Sequence, residues 1–182
     1  MVTRPPPPLR APWPWPRLSL ATMVPALLAH ALLAFALPAG AAPKAPPERP
    51  PGLVVLEERP SLKGLRVLGV YGVRSDPANP DLRRVQLWQQ HGHEVALSTD
   101  TLNCSAAAPL RMTLEGDRWI VRELNPGGLV TPVNRIDHLV WWAVCHPEQA
   151  GRDPATLGEL ARQLGYSGSL QESEQVLPGR AR

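Results

Sequence analysis

The stretch His91-Gly92-His93 sets two imidazoles two residues apart, and imidazole nitrogen is a common ligand of zinc and copper. Across the glycine both rings can face one way, with Glu94 or a residue of another strand completing a metal site. H-x-H without a third spaced ligand is also the composition of a polar hairpin tip with two solvated rings, and this is the reading we favour. A second cluster is HLVWWAVCHP, residues 138–147, which holds two histidines, two tryptophans and a cysteine. Read as an extended strand, it separates His138 from His146 by roughly 26 Å at ~3.3 Å per residue, too far to share a metal. Cys145 and His146 would point to opposite faces of that strand, which rules out a thiolate–imidazole pair. The same divergence separates Asp137 from His138, and Glu94 from His93, as acid–base partners. The chain has no G-x-S-x-G elbow. The turn after the first strand carries prolines where a phosphate loop needs free N–H groups. No cofactor is expected.

The two cysteines, Cys104 and Cys145, are the only ones in the chain, and their use depends on compartment. Residues 1–41 carry Arg4, Arg10 and Arg17, an apolar run from Ala26 to Leu37, the helix-breaking Pro38, and Ala39-Gly40-Ala41 at the end. This is the layout of a secretory signal peptide cut after Ala41. Its alternative is an uncleaved membrane anchor, since Leu18 to Leu37 has the ~20 residues a span requires, although Pro25 and His30 interrupt it. Export places the chain in the periplasm or outside the cell, where a Cys104–Cys145 disulfide is the simplest pairing.

Of 19 Lys and Arg, three lie in the leader, so 16 remain to face 16 Asp and Glu. The mature chain is formally neutral, and the basic balance of the whole sequence gives no ground for a nucleic-acid surface. Membrane contact is expected only if the leader is retained.

The elements that would position these groups follow from spacing. Residues 42–60 are rich in Pro, Glu and Arg and read as a tether, with Gly52 to Glu58 able to form a short edge strand. Leu65 to Val73 reads as a strand, ended by the turn chemistry of RSDPANPD. Asp81 to Thr99 fits either a short helix and strand or a hairpin; its thin apolar stripe favours the hairpin. Leu110 to Leu124 is a hairpin around a Gly-Asp turn. Ile136 to Cys145, apolar on both faces of an extended chain, reads as a central strand. Asp153, Pro154 and Gly165 frame a C-terminal helix, and residues 169–182 read as a loose tail.

The expectation is thus a single α+β domain over residues 61–168, a small antiparallel sheet of five to six strands with one C-terminal helix packed on it. Arg74, Asp76, Asn125 and Trp88 are its candidate binding surface. The function expected is a non-enzymatic interaction or ligand-binding module whose partner is a protein or a small ligand. The alternative is a metal-dependent or hydrolytic enzyme centred on His91 and His93.

Overall fold

A computed structural model describes residues 45–179. The expected signal peptide, residues 1–41, lies outside the described residues. Seven strands form one antiparallel sheet: β1 (Val54–Ser61), β2 (Gly64–Ser75), β3 (Leu82–His91), β4 (Glu94–Asn103), β5 (Leu110–Glu115), β6 (Arg118–Glu123) and β7 (Ser173–Pro178). They lie in the sheet in chain order, so each strand pairs with its neighbours in sequence. Between β6 and β7 the chain forms helix α1 (Arg135–Cys145) and the short helix α2 (Gly158–Gln163). The antiparallel α+β architecture is as expected, with seven strands rather than five or six.

The two expected hairpins form as read. β3 and β4 pair from Leu82↔Asn103 to His91↔Glu94, and β5 and β6 from Leu110↔Glu123 to Glu115↔Arg118. At the first turn Gly92 has φ +62°, where a side chain is strained, and a Cβ there would collide with the carbonyl oxygen of Lys63 in the β1–β2 turn. The Gly92 N–H also donates to the Leu65 carbonyl at 2.7 Å. Gly92→Ala is therefore expected to destabilise the fold by about 1–3 kcal/mol, read as a lower urea midpoint.

Three expectations need correcting. Residues 136–145 belong to a helix, not a central strand. A segment apolar on all sides is buried whichever way it coils, and a run of this length suits a helix better than a strand. The Arg135 N–H donates to Thr131 O at 3.0 Å and that of His138 to Asn134 O at 3.1 Å, opening the helix just after Pro132. Pro147 closes it by driving His146 out of the helical region, to φ −135° and ψ 72°. Trp141 and Trp142 are both fully buried, which settles their use as core.

The expected C-terminal helix is shorter and broken. Asp153 does cap it, its side chain accepting the Ala155 N–H at 3.2 Å, but Pro154–Thr156 forms a 3₁₀ turn before α2. Gly165 (φ +92°) does end it: the Tyr166 N–H reaches Ala161 O at 2.9 Å and the Gly165 N–H reaches Arg162 O at 3.0 Å.

The sheet also extends to both sides of residues 61–168. Within the expected tether, the short edge strand read at Gly52 to Glu58 forms as β1 and runs on to Ser61, while residues 173–178, expected in the tail, are β7.

Cross-strand partners share a face, which separates the two sides of the sheet. Val70, Val85, Leu87 and Leu102 on the inner face pack with Leu139, Val140, Trp141, Trp142 and Val144 of α1 in one core. The Cys104–Cys145 disulfide, with its Cα atoms 5.4 Å apart, ties the chain just beyond β4 to the last residue of α1.

Candidate functional site

The inner face is not wholly apolar. Strand β5 turns Arg111 and Thr113 inward, and both are buried, while Met112 and Leu114 turn outward. The Arg111 guanidinium bridges two carboxylates: Nε donates to Oδ2 of Asp100 on β4 at 2.6 Å, and Nη1 to Oδ1 of Asp137 in the first turn of α1 at 2.7 Å. Asp100 is fully buried and Arg111 is 5% exposed. Burial pushes the Asp100 carboxyl above its ordinary range, and the Arg111 charge opposes that rise. Arg122 on β6 extends the network outward, 3.8 Å from Asp137 and 2.9 Å from Glu174 on β7.

One residue along α1, His138 is fully buried with Nε2 2.7 Å from Oε1 of Glu172. That carboxylate also accepts the Asn125 N–H at 3.0 Å and the Asn134 Nδ2–H at 2.7 Å. Asn125 in turn donates through Nδ2 to the carbonyls of Gly168 and Leu170, at 3.0 and 2.8 Å. A histidine held by a carboxylate is the geometry of a general base, which must present its second nitrogen to a substrate. Here Nδ1 is enclosed within the protein. The arrangement therefore acts as a clamp, fastening the segment ahead of β7 to α1 and to the end of β6.

Above the network lies a cleft of about 490 Å³, walled by Glu115, Arg122, Glu123, Val133, Ile136 and Glu174. Its floor includes Arg111 and Asp137, each already committed to the other.

At the far end of α1, His146 Nε2 lies 2.9 Å from the Tyr166 hydroxyl, which donates to Cys104 O at 3.0 Å. With that hydroxyl proton committed to Cys104, His146 serves as the donor through Nε2–H. Burial holds the His146 pKa below its ordinary value. Both rings pack with Trp141 beside the disulfide.

The residues singled out in the sequence are dispersed. His91 ends β3 and His93 sits in the following turn, both exposed, with His93 Nδ1 3.3 Å from Ala45 O. Among the described residues no group of three or more His, Cys, Asp or Glu is gathered to hold a metal. Arg74 is exposed near the end of β2, and Asp76 is spent on the turn that follows, accepting the Ala78 N–H at 2.8 Å. Trp88 and Asn125 are both buried, on β3 and beyond β6 respectively, so the four do not make one surface.

Sequence reasoning missed the Arg111 network and the role of Glu172. No local signal marks them: Arg111 alternates with Leu110 and Met112 as an outward-facing residue would, and Asp100 stands between Thr99 and Thr101. The fold and bridge define a disulfide-closed, seven-stranded antiparallel meander on a buried helix. No protein-family model, curated protein or solved structure matches this chain.

Proposed function

We propose that the chain is an exported, disulfide-closed domain that binds a partner or ligand rather than transforming one. The observation that carries this reading is the commitment of the ionisable groups buried between the sheet and α1. Arg111 is spent on two aspartates, and among the described residues the one histidine within hydrogen-bond distance of a carboxylate has its other nitrogen enclosed. Export is supported by the leader and by the Cys104–Cys145 bridge, a bond that persists in oxidising compartments. Among the described residues no helix is long and apolar enough to cross a membrane.

The test is the intact mass of the protein recovered from a secreting host, before and after reduction and alkylation. The expected species begins at Ala42 and gains alkyl groups only after reduction. A chain that keeps residues 1–41 would replace the signal peptide with an anchor. Thiols that react without reduction would remove the oxidised compartment from the reading.

A further inference from the structure

The outer face of the sheet, opposite α1, carries a gradient of polarity that the core does not explain. One cross-strand row runs Arg74–Arg84–Thr101–Met112–Val121 from β2 to β6. The neighbouring row begins Tyr71–Gln86–Thr99 and, farther along the sheet, continues Leu114–Trp119–Leu177. The first row passes from cationic at β2 and β3 to apolar at β5 and β6 and ends on Gln175 of β7, while the second passes from polar at β2 and β3 to apolar at β5 to β7.

Arg74 and Arg84 are direct cross-strand partners, an arrangement that costs stability through like-charge repulsion. Both are exposed, and among the described residues neither has a carboxylate partner. The carboxylate on this face of β6, Glu123, lies three strands from Arg84 and accepts the Ser173 hydroxyl at 2.8 Å. At the apolar end Leu97, Leu114 and Leu177 are 58%, 44% and 46% exposed. Between the two ends is a recess of about 540 Å³ bounded by Arg84, Gln86, Leu97, Thr99, Leu114 and Trp119. That volume falls within the ~300–1,000 Å³ typical of small-ligand sites.

We infer that this face binds a single-chain anionic amphiphile, with its head on Arg74 and Arg84 and its apolar chain laid across β4 to β6 over Leu97, Leu114 and Trp119. An acid head group would relieve the arginine pair through charge-assisted hydrogen bonds, for which the guanidinium fork is suited. The Gln86 amide and the Thr99 hydroxyl, 3.1 Å apart, flank the passage from head to chain. Three strand spacings separate β3 from β6, roughly 14 Å at ~4.8 Å each, a track that suits an extended chain better than a compact anion. The inference goes beyond the binding-module reading and does not depend on export or on the bridge.

The experiment is calorimetric titration of the folded chain, residues 42–182 with its disulfide intact, using laurate below its micelle concentration. The cation dodecyltrimethylammonium, with a chain of the same length, is the matched control. The expected result is saturable laurate binding at one per chain, at least tenfold tighter than the cation. In an Arg74→Gln/Arg84→Gln variant with an unchanged near-ultraviolet spectrum, laurate affinity should fall at least tenfold. Leu114→Ser should weaken laurate without restoring the cation. Equal affinity for both amphiphiles, or a double variant that binds like the parent, overturns the proposal. So does binding to anionic phospholipid vesicles without binding to monomeric laurate, which would assign the face to a membrane surface. A negative titration leaves the mass measurement untouched, so the two readings fail separately.

Discussion

Arg111→Ala is expected to lower stability by about 3–5 kcal/mol, the usual cost of removing one partner from a buried ion pair. The loss arises because Asp100, fully buried, and Asp137 would keep their charges without the guanidinium that both now share. The pH dependence separates this from a packing defect. Burial already raises the Asp100 pKa above its ordinary value near 3.8, and Arg111 is the chief influence holding it down. A carboxyl whose folded pKa exceeds its unfolded one contributes stability that is full below the unfolded pKa and is lost as pH rises through the folded one. Without Arg111 the folded pKa climbs further and this window widens upward. The gap between variant and parent should therefore be large at neutral pH and narrow on acidification toward the ordinary Asp range. Urea unfolding at several pH values measures it, and a gap constant with pH would reduce Arg111 to a packing residue. Arg111→Met, which fills some of the same volume, should restore little at neutral pH because the two aspartates remain.

Replacing both Cys104 and Cys145 by alanine is expected to cost about 4 kcal/mol on the chain-entropy model for a sequence separation of 41 residues. That is a large part of the ~5–15 kcal/mol available to a domain of this kind. The local consequence should be specific. The bridge holds the end of α1 against the chain leaving β4, where Tyr166 and His146 meet Cys104 O through one relay. Near-ultraviolet circular dichroism, dominated here by Trp141, Trp142 and Tyr166, should lose amplitude at lower denaturant than the far-ultraviolet sheet signal. Coincident transitions would show that the core holds α1 in place without the bridge.

The strands were legible where alternation met a glycine turn. β3–β4 and β5–β6 follow from Val85, Leu87, Met112 and Leu114 spaced by two, with Gly92 and Gly116 at the tips. Which face points inward was not legible, because alternation sets the period and leaves the side open. In β5 the side that looks polar, Arg111 and Thr113, lies under α1, while Leu114 faces outward. The inversion depends on Asp100 and Asp137, one from another strand and one from a helix, and no local pattern brings them to Arg111. α1 reads as a strand because the unbroken apolar run from Leu139 to Cys145 erases the difference between periods of 2 and 3.6. β7 escaped notice because all six of its residues are exposed. Its pairing rests on backbone hydrogen bonds to β6 and on Arg122–Glu174. Asp153 and Gly165 were readable as helix boundaries because capping is local chemistry.

The chain-order sheet also sets the sequence of assembly. From β1 to β6 every pairing joins segments linked by short connections, so the hairpins can close one after another at low loop-closure entropy. β7 is different, since residues 124–172, which hold α1 and α2, separate it from β6 along the chain. It is thus the last strand to dock and, with every side chain exposed, the first to fray. Each opening bares the hydrogen-bonding edge of β6 beside Trp119, Ile120 and Val121, a short apolar template on which a foreign strand could add. The clamp at Glu172 holds the start of β7 against α1, so a contact that resembles catalytic machinery opposes such an opening.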